Sequence, residues 1–175
     1  MPVYAFYTGD PGWRKGWRDK LIRWATGHPA SHVEYVVGGV LGKSNVCISA
    51  SKRDGNKVRS KPITWNAGHW VFVEVEGDDA AIYKRLIAEC GKPYDTWGAL
   101  LSVTPFNRHK MGAWFCSEIM AHGVGLPRAH RYTPGLFFDE LMAMGGQIIE
   151  IEAHERMNRT KAVVQNENTS EAANE

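Results

Sequence analysis

The sequence predicts an α+β fold in a single domain over residues 1–154, followed by a polar tail over 155–175. Order is the first reason: four or five short runs rich in β-branched and aromatic residues precede most of the helical segments, whereas a doubly wound fold would alternate them. The second is a change of hydrophobic period, from two residues in the first half to that of a helix in the second. Size supplies the third: a chain of 175 residues, 43% hydrophobic, suits one domain and can bury about two thirds of its unfolded surface.

"VYAFYT", Val3 to Thr8, reads as a strand that "GDPG" ends. In "WRKGWRDKLIRWATG" the residues Trp13, Trp17, Leu21 and Trp24 fall on one helical face, with Arg14, Lys15, Arg18, Asp19 and Arg23 elsewhere. Such a face covers a core or lids a groove, the favoured expectation; a peripheral membrane contact through Trp13, Trp17 and Trp24 is the alternative. "SHVEYVV", Ser31 to Val37, and "NVCISA" read as strands. "KRDGNKVRSKPITW" carries an Asp54-Gly55 turn signal and reads as a hairpin-like excursion before the strand "HWVFVEVE".

Beyond it, "DDAAIYKRLIAECG" has an aspartate at its start and Gly91 at its end, the punctuation of a helix. "TWGALLSV" and "CSEIMAHGVG" read as short helices, "TPGLFFDELMAMGG" as another with Pro134 in its first turn, and "QIIEIE" as a last strand. From Glu155 onward the chain is polar and free of aromatic residues, so a mostly disordered tail is expected.

A net charge of +2 is too small to point to nucleic acid. There is no glycine-rich phosphate loop and no internal repeat. The N-terminus lacks a basic segment followed by a long apolar run, and no stretch approaches the roughly 18 apolar residues of a membrane span, so the expected compartment is cytoplasmic. The three cysteines, Cys47, Cys90 and Cys116, are odd in number and lack CxxC spacing, which points away from a disulfide framework and a structural zinc site. No metal and no cofactor is expected.

Chemistry centres on "GAWFCSEIMAHG", where Cys116 opens a helix. Oriented N–H groups at a helix start stabilise a thiolate, yet a free cysteine is also a common small core residue. Seven histidines offer candidate bases. His32 stands out because Glu34 follows two residues later on the same strand, which places both side chains on one face. That pair is read as a catalytic base with its partner, as a structural ion pair, or as half of a metal site lacking the usual third and fourth ligands. His69 opens a strand and is a second candidate; His28, His109, His130 and His154 lie in loop or tail contexts, and His122 sits near a helix end where it would cap carbonyls. "GKPYDTWG" presents Tyr94, near the thiol or simply packed, and Asp95, an N-cap candidate for a helix from Thr96.

The order "SHVEYVV", "SASKRDG", "GKPYDTWG", "WFCSEIM" resembles the permuted branch of the NlpC-type papain-like cysteine hydrolases, which includes lecithin retinol acyltransferase-like enzymes and small phage and bacterial members. The resemblance spans Val3 to Leu126, and His32 precedes Cys116 by more than eighty positions, as the permutation requires. It implies a papain-like α+β core with an antiparallel, partly barrel-like sheet packed on helices. It further implies Cys116 as nucleophile, His32 as general base and Tyr94 as the aromatic near the cysteine. Glu34 is the candidate third polar residue, with Asn45, Ser49 and Ser51 as alternatives. The implied activity is hydrolysis of an amide or ester through an acyl-cysteine, on a peptide, cell-wall or acyl-lipid substrate; a wall substrate would require delivery by phage lysis or in the virion. A thiol acyltransferase and a non-catalytic interaction protein retaining the fold are the other two readings.

Overall fold

The computed structural model describes residues 1–9, 29–66, 68–96 and 112–151. The helix expected over Trp13 to Trp24, most of the helix expected from Thr96, the C-terminal tail and His28, His109 and His154 lie outside the described residues.

Alternating β-branched and aromatic residues give β1 (Val3–Tyr7), β2 (His32–Val36), β3 (Ser44–Ser51), β4 (Lys57–Thr64) and β5 (Trp70–Glu74). Among the described residues three α-helices follow, α1 (Asp79–Ala88), α2 (Cys116–Val124) and α3 (Pro134–Ala143), then the short β6 (Gln147–Ile149). The strands form one antiparallel sheet in the order β4-β3-β2-β1-β5-β6. The architecture is therefore α+β, as strands followed by helices predict. The sheet has two edges, β4 and β6, so among the described residues strand pairing does not close it into a barrel.

The "hairpin-like excursion" proves to be a full strand, paired with β3 from Ser44↔Thr64 to Ser51↔Lys57. Pro62 obscures it in the sequence, because proline cannot donate to a ladder; it is tolerated here because β4 is an edge strand.

One sheet face carries Tyr4, Phe6, Val33, Tyr35, Ile48 and Val73 against Leu86 of α1, Ile119 and Met120 of α2 and Phe137 and Leu141 of α3. Period two sends Val3, Ala5, Val36, Cys47 and Phe72 to the other face, where they form a second cluster with Trp65 and Trp70 at its margin. Two helix starts are capped: Asp78 accepts from the Ala81 N–H at 3.0 Å, at the start where the sequence offers an aspartate, and Thr133, before the expected Pro134 in the first turn, accepts from the Leu136 N–H at 3.2 Å. Helices α1 and α2 approach closely where Gly123 faces Leu86; a Cβ at that glycine would lie 2.7 Å from Leu86 Cδ2.

Candidate thiol active site

Backbone pairing places Cys116. The segment after α1 runs along the outer edge of β4, with Val58 N–H bonded to the Lys92 carbonyl, Gly91 N–H to Val58 and Tyr94 N–H to Asn56. The same segment then holds the residue before α2: Trp114 N–H bonds the Pro93 carbonyl at 3.0 Å, and Asp95 N–H bonds the Trp114 carbonyl at 2.8 Å. Phe115 follows as the extended N-cap of α2, and Cys116 is the first helical residue. Phenylalanine has no side-chain acceptor, so the capping is one-sided: the Glu118 carboxylate reaches back to the Phe115 N–H at 3.4 Å. From its next position Ser117 donates to the Tyr132 carbonyl at 2.6 Å, tying α2 to the chain that enters α3.

His32, the first residue of β2, lines the same cleft as Cys116 and is electrostatically coupled to its thiol. Its Nε2 donates to Glu34 Oε1 at 2.8 Å, which leaves Nδ1 as the ring nitrogen to serve the thiol. Glu34 is in turn gripped by Arg59 of β4: Nη1 donates to Oε2 at 2.7 Å and Nη2 to Oε1 at 2.5 Å. Arg59 Nε donates to Asp54 Oδ2 at 2.9 Å, and Lys61 Nζ to Asp54 Oδ1 at 2.6 Å. One polar chain thus runs from imidazole through carboxylate and guanidinium to a turn aspartate and a lysine, with the thiol electrostatically coupled to its imidazole end.

The sheet explains this reach. Ser49 of β3 lies opposite Arg59 in the register, and its small side chain turns to donate to the Val33 carbonyl at 2.7 Å. Nothing bulky stands between Glu34 and the long Arg59 side chain, and both are buried, at 1% and 8% exposure.

Electrostatics follows from these contacts. Burial opposes charge on His32, but the charge and hydrogen bond of Cys116, with those of Glu34, outweigh it and raise its pKa to about 10. Burial also opposes ionisation of Glu34; the Arg59 fork and His32 overcome it and hold the carboxyl below the usual range. The same contest at Asp54 is won by Lys61, Arg59 and the Ser51 contact, which lower it to about 2. Glu118 behaves oppositely. Burial lifts its carboxyl to about 8, with Asp95 adding to the rise and the Phe115 N–H bond subtracting from it.

Cys116 and His32 open onto a cleft of about 610 Å³ that Glu34, Tyr94, Phe115, Trp70 and the β3–β4 turn also line. His32 is 26% exposed on its side chain, the accessible member of the pair, while Cys116 is 5% exposed beneath it.

The structure therefore brings together Cys116, His32 and Glu34, with Tyr94 on the same cleft wall. The other candidates for the third polar residue are occupied elsewhere. Asn45 accepts from the Gly42 N–H and Trp65 Nε1 and donates to the Val40 carbonyl, and the Ser51 hydroxyl accepts from the Asp54 N–H. His69 packs near Tyr7 outside the cleft lining. His122, expected to cap carbonyls, has its ring against Trp114, with centroids 4.8 Å apart. The remaining thiols sit in different surroundings. Burial pushes Cys47 strongly upward, aided by the Glu34 charge, and burial raises Cys90.

Sequence reading missed Arg59, Asp54 and Lys61. A signal was present: in "KVRSKPIT" Arg59 and Lys61 stand two apart and share a face if the run is a strand. Reading the run as a hairpin-like excursion, without assigning a strand to it, hid that face. Among the described residues no three His, Cys, Asp or Glu side chains are grouped to hold a metal ion, and no helix is long and apolar enough to cross a membrane. Comparison of the chain with protein-family models, curated proteins and solved structures returned no match.

Proposed function

We propose that the protein is a cysteine-dependent hydrolase that cleaves an amide or ester through an acyl-cysteine. The observation that carries this reading is the placing of Cys116, at the start of a helix, on one cleft with His32, whose imidazole is hydrogen-bonded to Glu34. A nucleophile touching a base, with the base oriented by a third group, is the arrangement that covalent acyl transfer needs. The same three residues are those implied by resemblance to the permuted NlpC-type hydrolases, and the α+β architecture is compatible with that family.

In this mechanism the Cys116 thiolate attacks the carbonyl carbon while His32 carries the proton. First-turn N–H groups of α2, which have no intrahelical acceptor, receive the developing oxyanion. Imidazolium then protonates the departing amine or alcohol as the C–N or C–O bond breaks, leaving a thioester. Water, deprotonated by the now neutral imidazole, attacks that thioester; the acid departs and the thiol is restored. Acid–base assistance of this kind contributes about 10²–10⁴-fold. Glu34 positions His32 through Nε2, and Arg59 fixes Glu34.

Peptide mapping after brief exposure to iodoacetamide tests the reading. Label is expected on Cys116 and strongly reduced in His32→Ala; label on Cys47 or Cys90 in preference to Cys116 would overturn it. Intact-mass measurement with muropeptide and phospholipid acyl donors extends the test, the expected adduct being absent in Cys116→Ser. An adduct that passes to an added amine in preference to water would favour the acyltransferase reading instead.

A further inference from the structure

The row of side chains beside His32 is aromatic. In the antiparallel register Tyr7 of β1 lies opposite His32 of β2 on one side and opposite Trp70 of β5 on the other. The three side chains therefore stand in line on one face of the sheet, directly opposed residues having Cβ atoms about 4.5–5.5 Å apart. All three line the cleft onto which Cys116 opens, and Tyr7 and Trp70 are half-buried. Their rings are fixed by one another and from behind. Tyr7 and Trp70 meet edge to face with centroids 5.1 Å apart, and Trp70 meets Trp65 in the same manner, also at 5.1 Å. Trp65 is itself held, its Nε1 donating to Asn45 Oδ1 at 3.0 Å. The acyl-transfer steps at the thiol require neither Tyr7 nor Trp70.

Strand order decides which part of a substrate meets this row. Helix α2, with Cys116 as its first residue, packs on β2 and β3, whereas β1 and β5 lie beyond β2 in the opposite direction. The row from His32 through Tyr7 to Trp70 thus leads away from the strands on which the nucleophile's helix rests. In acyl transfer the acyl carbon bonds Cys116 Sγ, while the departing atom takes its proton from His32. Whatever is attached to the departing atom then lies beside His32, over the ring next to it in the row. Another ring placed there would bury apolar area and also make edge-to-face or offset contacts. We infer that Tyr7 and Trp70 form a leaving-group subsite, and that the alcohol or amine released carries an aromatic ring. The inference rests on the acyl-cysteine reading and names the class of leaving group for that site.

Butyryl thioesters of ethanethiol, cyclohexylmethanethiol and phenylmethanethiol test it on the full chain, together with the ethyl thioester of phenylbutyric acid, which carries its ring on the acyl side. In each reaction the acyl bond to Cys116 Sγ forms, the bond to the leaving sulfur breaks, and that sulfur takes the imidazolium proton. The initial rate of Cys116 acylation is read by intact mass and divided by each donor's rate with free cysteine. The phenylmethyl donor is expected to exceed the ethyl donor by about tenfold or more. It should also exceed the cyclohexylmethyl donor, and the ring on the acyl side should give no comparable gain. Tyr7→Thr and Trp70→Thr each leave a residue that suits a strand. In whichever of them keeps the circular dichroism of the parent, the ratio of phenylmethyl to ethyl donor should drop several-fold; the parent series decides if neither does. Equal normalised rates for these two donors, a cyclohexylmethyl donor as fast as the phenylmethyl one, a gain that follows the ring to the acyl side, or a ratio that the folded variants leave unchanged would each overturn this inference and leave the thiol reading standing. Failure of every donor to acylate Cys116 would remove the thiol reading, and this inference with it.

Discussion

Arg59 and Glu34 meet through two N–H···O bonds of 2.7 and 2.5 Å although they stand on β4 and β2, with β3 between them. The contact buries a full ion pair directly behind His32, which Glu34 holds through Nε2. Removing one partner of such a pair strands a charge in the interior, whereas removing both does not.

Arg59→Met should therefore cost about 3–5 kcal/mol of stability. The double variant Glu34→Gln, Arg59→Met should be more stable than Arg59→Met alone, and urea denaturation of the two single variants and the double variant measures the coupling. Additive single effects would show that the pair is not a unit.

Glu34→Gln keeps the size of the side chain and removes the charge that His32 senses. Together with Cys116, Glu34 holds the imidazole protonated to about 10, against the opposing effect of burial. The imidazole midpoint, followed by NMR of the ring carbon-bound protons, should fall in Glu34→Gln and fall further, toward or below the ordinary 6.5, in Cys116→Ser. A midpoint unmoved by Cys116→Ser would mean that thiol and imidazole do not interact in solution.

Acid should weaken the fold through the same cluster. Glu34 and Asp54 have native pKa values below their ordinary 4.5 and 3.8, so each adds stability that is present above those values. It is lost as pH falls through the native values, that of Asp54 being about 2. Unfolding free energy measured in denaturant should decline as pH falls from about 4.5 to 2, with a shallower decline in Asp54→Asn. A flat profile down to pH 2 would contradict the assignment.

Gly123 should resist enlargement. Its missing Cβ is what admits Leu86, which is fully buried and already packed between α1 and α2. Gly123→Val should lower stability by about 1–3 kcal/mol through overpacking, read as a lower thermal midpoint; an unchanged midpoint would mean that Leu86 has room to turn away.

Much of the fold was legible because local patterns agree with it. "VYAFY", "HVEYV" and "WVFVE" are strands by composition and alternation, and the aspartate before α1 and Pro134 mark helix starts. β4 was harder to read, since Pro62 and the preceding Asp54-Gly55 turn are turn signals that only an edge position reconciles with a strand. His122 likewise reads as a helix-end cap until Trp114, eight positions earlier and outside the helix, is seen to stack on it.

By itself the sequence determined that His32 and Glu34 share a face, since strand geometry alternates side chains regardless of what surrounds them. It determined as well that Cys116 opens a helix. Only the tertiary structure decided that the helix start and the strand start meet, that Arg59 reaches Glu34 across Ser49, and that Tyr7 and Trp70 line up beside His32 on the thiol's cleft. Those facts depend on strand order and register, which arise from pairing between segments far apart in the chain and from burial of one face of each strand.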